Sequence, residues 1–305
     1  MRRCMRCMQE YEETLTKCPH CGYSIEEQRT QKVRFPEALD AETILMGRYI
    51  LGCLQTQDGF SNTYVAWDAL LEKKVFLSEY YPSDLCRRID GQAVPEPLRQ
   101  FDGSIFEYGQ NAFEEEAGRL NRNQDIDGLV PVFRCFRERG TAFAVSEYVY
   151  DDTLEEILEK ESAIPREKAD HLLGGLCRCI DEMHQRGICH WNLSLSDIYV
   201  DENCNGRLTG FGTAKILTAV KMNHTSLFSP YSAPELLEGN QADGRADLYS
   251  LGLIGKELYQ QVKDMPFRQR SQIKKVLNRL SAPNLKKRST SCGELTRLLS
   301  DHYSL

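Results

Sequence analysis

Ile188-Cys189-His190-Trp191-Asn192-Leu193-Ser194-Leu195-Ser196-Asp197-Ile198 stands directly after a helical pattern, and a second short motif, Gly210-Phe211-Gly212, follows it. Upstream, Ala169, Leu172, Leu173, Leu176, Ile180 and Met183 recur at helical spacing between Glu167 and Arg186, and Gly187 follows as a stop. Downstream, a second buried helix is expected from about Ala246 to Val262, with others to the end. Earlier in the chain, Arg48 to Gly52, Thr63 to Trp67 and Lys74 to Leu77 carry the β-branched and aromatic residues of strands. Phe113 to Asn121 reads as a helix with an acidic first turn, and strands return at Val130 to Phe136 and Ala142 to Val149. Strands first and helices later predict an α+β chain of two lobes. There is no internal repeat and no low-complexity tract.

The 305 residues are 41% hydrophobic and 27% charged, enough for a sizeable core, and the formal net charge is −7. That balance gives no bulk electrostatic reason to expect nucleic acid or an anionic membrane as partner. No apolar run approaches the ~18 residues of a membrane span. The start, Met1 to Glu10, has positive charge but no apolar core or small-residue cleavage site, so it does not read as a signal peptide. A soluble, cytoplasmic protein is the expectation.

Four of the 12 cysteines fall in the first 21 residues, as Cys4-x-x-Cys7 and Cys18-x-x-Cys21. The others are scattered without repeated spacing, which is not a disulfide framework and fits a reducing compartment. Each pair can sit on a tight turn whose N–H groups point at the sulfurs, and two turns complete a tetrahedral S4 site. Gly22 can take the positive φ that closes the second turn. The module resembles a zinc ribbon. So short a segment has no core of its own, so metal binding and folding should be one event. Four thiolates leave no open position, making the zinc structural. His20, between two of the cysteines, reads as a turn residue. Residues from about 25 to 43 are polar, hold Pro36, show no sustained period, and read as a linker.

The order of elements from about Ile44 to Leu299 resembles the protein kinase fold, and bacterial Ser/Thr kinase-like proteins in particular. The residues that carry the likeness are Ser78-Glu79-Tyr80-Tyr81-Pro82-Ser83-Asp84-Leu85, then Phe113-Glu114-Glu115-Glu116-Ala117 for the regulatory helix and Glu147-Tyr148-Val149 for the hinge. Ile188 to Ile198 sits where the catalytic loop belongs, followed by Gly210-Phe211-Gly212, Ser232-Ala233-Pro234-Glu235 and Arg245-Ala246-Asp247-Leu248-Tyr249. The implied organisation is a ribbon over 1–24, a linker over 25–43, and a kinase-like domain over 44–305, strand-rich to 150 and helical from 151.

The departures from the kinase pattern decide the chemistry. A kinase needs a Gly-rich loop, a strand lysine paired with a helix glutamate, a catalytic Asp and Asn, and a metal-binding Asp before Phe-Gly. Here the three loop glycines fall on Thr56, Asp58 and Ser61, with only Gly59, outside the signature, remaining. Ser78 replaces the lysine and leaves Glu116 without its usual partner. Phe76 replaces the alanine that leaves room for adenine, so a phenyl ring is expected to obstruct that slot. Asn192 replaces the base, and an amide cannot accept a hydroxyl proton as a carboxylate does. Trp191 removes the arginine that would receive an activation-loop phosphate. Asp197 stands for the metal-binding asparagine, while Gly210 replaces the other metal ligand.

What remains is scaffold. The resemblance implies that Glu235 pairs with Arg288, and that Asp247 holds the catalytic-loop backbone. The expected function is that of a pseudokinase: a non-catalytic scaffold or regulator with a structural zinc site, no ATP or Mg²⁺, and a protein partner such as an active kinase or its substrate. Thr225, Ser226 and Ser229 could accept phosphate from another enzyme. A rearranged nucleotide-binding kinase or transferase is the enzymatic alternative. Nucleic-acid binding is the third, motivated by nine basic residues against one acid between Lys263 and Arg288, although such a run is more often a solvated face. His171, His184, His224 and His302 have no ligand or base context, and His190 reads as structural.

Overall fold

The computed structural model describes residues 1–89, 94–99, 102–211 and 228–300. They form two compact units, one of Met1–Arg122 with Pro131–Tyr148, the other of Asn123–Val130 with Val149–Leu305.

In the first unit, β1 (Arg2–Arg3) and β2 (Glu10–Tyr11) pair as a small ladder. The main sheet is made by β3 (Ile44–Leu45), β4 (Tyr49–Gln57), β5 (Ser61–Asp68), β6 (Lys73–Tyr80), and, after the short pair β7 (Cys86–Arg87) and β8 (Glu96–Pro97), by β9 (Val132–Glu138) and β10 (Thr141–Glu147). Its six strands run in the order β3-β4-β5-β6-β10-β9, with every pair antiparallel. Alternation along the strands divides the side chains between two faces. Tyr64, Ala66, Val75 and Leu77 share one buried core with Leu45, Tyr49, Leu51, Leu54, Phe136, Phe143 and Val145. Lys74, Phe76, Ser78 and Tyr80 take the other face. There Tyr80 packs on Phe106 and Phe113, at 5.1 and 5.9 Å between ring centroids, and so seats the helix Asp102–Asn121. That helix starts well before the expected Phe113. Gly103, Gly109 and several polar residues in its first half hide the helical period.

The reading of 25–43 as a linker does not hold. Ile25–Arg34 is a helix, α1, and its start is a complete capping box. Ser24 N donates to Glu27 Oε2 at 2.7 Å, and Glu27 N donates to Ser24 Oγ at 3.2 Å. No residue of α1 is buried, so there is no apolar stripe for a periodicity argument to find. Its anchors lie elsewhere: Gln31 Nε2 donates to Leu54 O at 2.7 Å, and Phe35, Ala38 and Leu39 behind it enter the sheet core.

The second unit is helical. With α2 assigned to Asp102–Asn121, its helices are α3 (Leu154–Lys160), α4 (Arg166–Gln185), α5 (Pro234–Leu237), α6 (Arg245–Gln260), α7 (Phe267–Leu280) and α8 (Gly293–Ser300). Three short strands, β11 (Asp152–Thr153), β12 (Ile198–Val200) and β13 (Gly206–Leu208), form a ladder beside the loop 188–197. α4 buries the apolar stripe read from its sequence and ends where Gly187 N and Ile188 N close on His184 O and Met183 O. No helix among the described residues is long and apolar enough to cross a membrane.

Candidate functional site

At the N-terminus, Cys4, Cys7, Cys18 and Cys21 place their sulfurs within 4.8 Å of one another. Cys4 to Cys21 and Cys7 to Cys18 are each 3.6 Å. A tetrahedron with Zn–S of about 2.3 Å has S···S edges of about 3.8 Å, so the donor set is the right type and size for a metal ion such as zinc. Burial pushes the Cys4 thiol up, and the N–H groups of Cys7 and Arg6 aimed at its sulfur oppose that. On Cys18, burial again acts upward, but the N–H groups of His20 and Cys21 and the facing thiols hold it below its ordinary value. Gly22 closes its turn at φ +75°. His20 Nε2 lies against Glu10 O at 3.3 Å, away from the sulfurs.

The ribbon-like module is seated on the sheet. Cys53 N of β4 donates to Met5 O at 2.6 Å. A Cβ on Gly52 would lie 2.1 Å from Met8 Cε and 2.2 Å from Met5 O, so only glycine allows this approach. Nothing in the sequence period announces that seat, because a glycine in a strand reads first as a bulge or a defect.

Thr56, Asp58 and Ser61 flank the β4–β5 hairpin tip. Asp58 Oδ1 accepts from Phe60 N at 2.9 Å and Ser61 N at 2.7 Å, and its Oδ2 from Ser61 Oγ at 3.1 Å. The N–H groups that a phosphate would need there are thus taken by a carboxylate. The tip is pinned from behind as well, since Tyr81 N donates to Phe60 O and Ser83 N to Gly59 O, at 2.6 and 3.0 Å.

On the strand face, Phe76 is 6% exposed and its ring lies 4.6 Å from that of Tyr148. Ser78 Oγ is bonded to Thr63 Oγ1 at 2.9 Å across β5 and β6. Glu116 is buried on α2 with Arg119 Nε at 3.7 Å. On the opposite face lies a charged network that sequence reasoning missed. Glu79 is fully buried, ion-paired to Arg88 at 2.5 Å, and accepts from Asn62 Nδ2 and the Tyr64 hydroxyl. Arg88 reaches on to Glu37 O, and Tyr81 donates to Glu37 Oε2 at 2.6 Å. Burial, then the nearby Glu79 charge, drive the Tyr64 hydroxyl well above its ordinary pKa. The network ties the segment after α1 to the end of β6.

In the second unit, Asn192 Oδ1 accepts from Ser229 N at 2.8 Å and from Ser232 Oγ at 2.9 Å. The amide at the base position therefore fastens the end of the 229–232 segment. Thr225 and Ser226 lie outside the described residues, as do Gly212, His224 and His302. Asp197 Oδ2 accepts from Ser194 N and Oγ at 2.8 and 2.6 Å. Gly210 has φ +81°, and a Cβ on it would stand 2.2 Å from Asp197 Oδ1. The Asp197 carboxylate occupies the space that a side chain at position 210 would need.

Asp247, fully buried, accepts from His190 N at 2.9 Å, Trp191 N at 2.5 Å and His184 Nε2 at 2.8 Å. Its hold explains how Trp191 keeps φ +64°, a strained value for a bulky residue. Trp191 packs against the cluster of Ala233, Leu236 and Ala246, as Phe228 does. His184, given no partner by the sequence reading, is thus part of the loop's anchor. His190 Nε2 donates to Thr209 O at 2.6 Å, and His171 contacts Asn205 Oδ1 at 2.9 Å. Glu235 and Arg288 meet in a two-point bond of 2.5 and 3.0 Å, both side chains buried.

Comparison with known proteins agrees with this architecture. The profile of the protein kinase domain matches residues 104–301. The serine/threonine-protein kinase PrkC of Bacillus subtilis is 24% identical over 217 residues, 70% of this chain and 30% of PrkC. The "Probable serine/threonine-protein kinase PknB" of Bifidobacterium longum is 25% identical over 232 residues, 72% of this chain and 31% of its own length. The chain therefore spans about a third of either relative. Among solved structures, "PpkA-294 apo form" superposes with a TM-score of 0.72 at 22% identity, covering 86% of this chain and 99% of that one. With a two-lobed kinase fold and a domain match over most of its length, the chain belongs to the protein kinase domain family.

Proposed function

We propose that the protein is a pseudokinase: a kinase-fold scaffold that binds a partner protein and carries a structural zinc ion on Cys4, Cys7, Cys18 and Cys21. The observation that carries the reading is Gly210 against Asp197. The position of a metal-binding aspartate has no side chain, and the neighbouring carboxylate fills the gap while capping its own turn. The other departures support it. Ser78 is bonded to Thr63, Asn192 to the 229–232 segment, and Asp58 to the N–H groups of its own hairpin. Phe76 against Tyr148 occupies the strand face where the resemblance places adenine. None of the 12 cysteines is in a disulfide, which fits a cytoplasmic setting. An active kinase or its substrate is the partner this architecture suits.

The test is thermal denaturation of the zinc-loaded chain with and without millimolar ATP and Mg²⁺. A ligand of the native state raises the midpoint by mass action. An unchanged midpoint is expected. A Mg²⁺-dependent rise would support instead a rearranged nucleotide site, for which Asp197 is the carboxylate in place.

A further inference from the structure

The helix α1 is 10 residues long and buries none of them, although a helix so short is marginal without packing. Its capping box explains how it starts but not what its inner side is for. Ile25, Gln28, Gln31 and Phe35 recur at helical spacing along that side, and each is only half-buried. They face a cleft of about 410 Å³, walled also by Arg2 of β1, by Gly52 and Leu54 of β4, and by residues 38–42 behind the helix. That volume falls in the range of small-molecule sites.

The lining is of two kinds. Ile25, Phe35, Leu39 and Leu54 supply apolar surface. The charged part is unbalanced. Lys32 is paired with Asp40 at 2.8 Å and donates to Ala38 O at 3.0 Å. Arg2 and Arg29 then stand against Glu42, a surplus of one positive charge. Among the described residues the Arg29 side chain has no hydrogen bond or ion pair. The Arg2 guanidinium has the Tyr11 ring at 5.1 Å, but no carboxylate partner among them.

We propose that this cleft binds a small lipophilic acid, with an apolar body against Phe35, Leu39 and Leu54 and one carboxylate, sulfonate or phosphate group that takes Arg29 and Arg2 as its cations. The site shares no residue with the kinase-like positions, so it goes beyond the pseudokinase reading and does not depend on it. An occupant would bury the side of α1 that the protein alone leaves half-exposed, and would give the two guanidiniums the anion they lack. A guanidinium is weakly hydrated and suits the two-point geometry of such groups. An uncharged apolar molecule would leave both cations unpaired, and an inorganic anion would leave the apolar wall wet. The two kinds of lining together select a molecule that carries both features.

The experiment uses the full zinc-loaded chain and two fluorescent probes that differ by one group: anilinonaphthalene sulfonate, and phenylnaphthylamine, which lacks the sulfonate. Titration is expected to show one saturable site that prefers the sulfonate about tenfold, as one charge-assisted hydrogen bond would give. Arg29→Ala is expected to erase that preference and leave the uncharged probe unaffected. Glu42→Gln, which removes the opposing charge, is expected to tighten the sulfonate severalfold. Gln28→Trp, which fills the cleft, is expected to abolish binding of both. None of these three side chains makes a hydrogen bond among the described residues, so each variant is expected to keep the parent's thermal midpoint. Hydrogen exchange of the α1 amides is expected to slow when the sulfonate is added, with those of α4 unchanged. Absence of saturable sulfonate binding would overturn the proposal. Binding that survives Gln28→Trp would overturn it too, by placing the probe elsewhere, and so would a preference for the sulfonate untouched by Arg29→Ala.

Discussion

Gly210 is held as glycine by its neighbour, because a Cβ there would meet Asp197 Oδ1 at 2.2 Å. The left-handed φ of +81° disfavours a side chain as well. Gly210→Asp is therefore expected to lower the thermal midpoint, and to create no Mg²⁺-dependent stabilisation by ATP. Adding Asp197→Ala is expected to recover part of the lost midpoint, because it removes the clashing carboxylate. A single Gly210→Asp variant of unchanged midpoint would show that the site has room to spare. Ser78, Asn192 and Gly210 could be singled out in the sequence because each falls inside a motif of fixed spacing. The hydrogen-bond partners of Ser78 and Asn192 could not. Asn192 to Ser229 and Ser78 to Thr63 join residues 37 and 15 positions apart, and nothing local in either segment points across that distance.

Among the elements, α1 and the hairpin tip carry the sharpest lesson. Ser24-x-x-Glu27 is a helix-start signal in plain view, but a helix that buries no residue has no apolar stripe to confirm it. The buried charges Glu79 and Arg88 were hidden for the converse reason. In an alternating strand pattern a polar residue reads as facing water, and burial of Glu79 depends on the segment after α1 folding back over it. Loss of the cap is expected to be local. Ser24→Ala should destabilise α1 by about 1 kcal/mol, seen as faster exchange of its first-turn amides, while leaving β4–β6 unaffected. Acceleration spreading into β5 would mean that α1 holds the sheet more firmly than its exposed surface implies. The two long helices of the second unit, by contrast, were read almost to the residue, since their apolar stripes are wide and their ends carry Gly187 or lie at a turn.

For the molecule as a whole, the features that hold a kinase fold together are present, while Ser78, Asn192 and Gly210 stand at the positions on which the proposed loss of phosphate transfer rests. Glu235–Arg288 and Asp247 with its three N–H donors are buried, satisfied and expensive to break, at about 3–5 kcal/mol for removal of one partner from such a pair. Ser78 and Asn192 are engaged in hydrogen bonds with Thr63 and Ser229. A scaffold selected for shape would be expected to look this way. The measurement that tests it most directly is intact-mass analysis of the zinc-loaded chain after prolonged incubation with ATP, Mg²⁺ or Mn²⁺, and a general kinase substrate. The account predicts no phosphate on the chain or on the substrate, and no ADP above the enzyme-free control. Stoichiometric phosphate on either protein, abolished by Asp197→Ala, would contradict it and make the chain an active kinase with a rebuilt metal site.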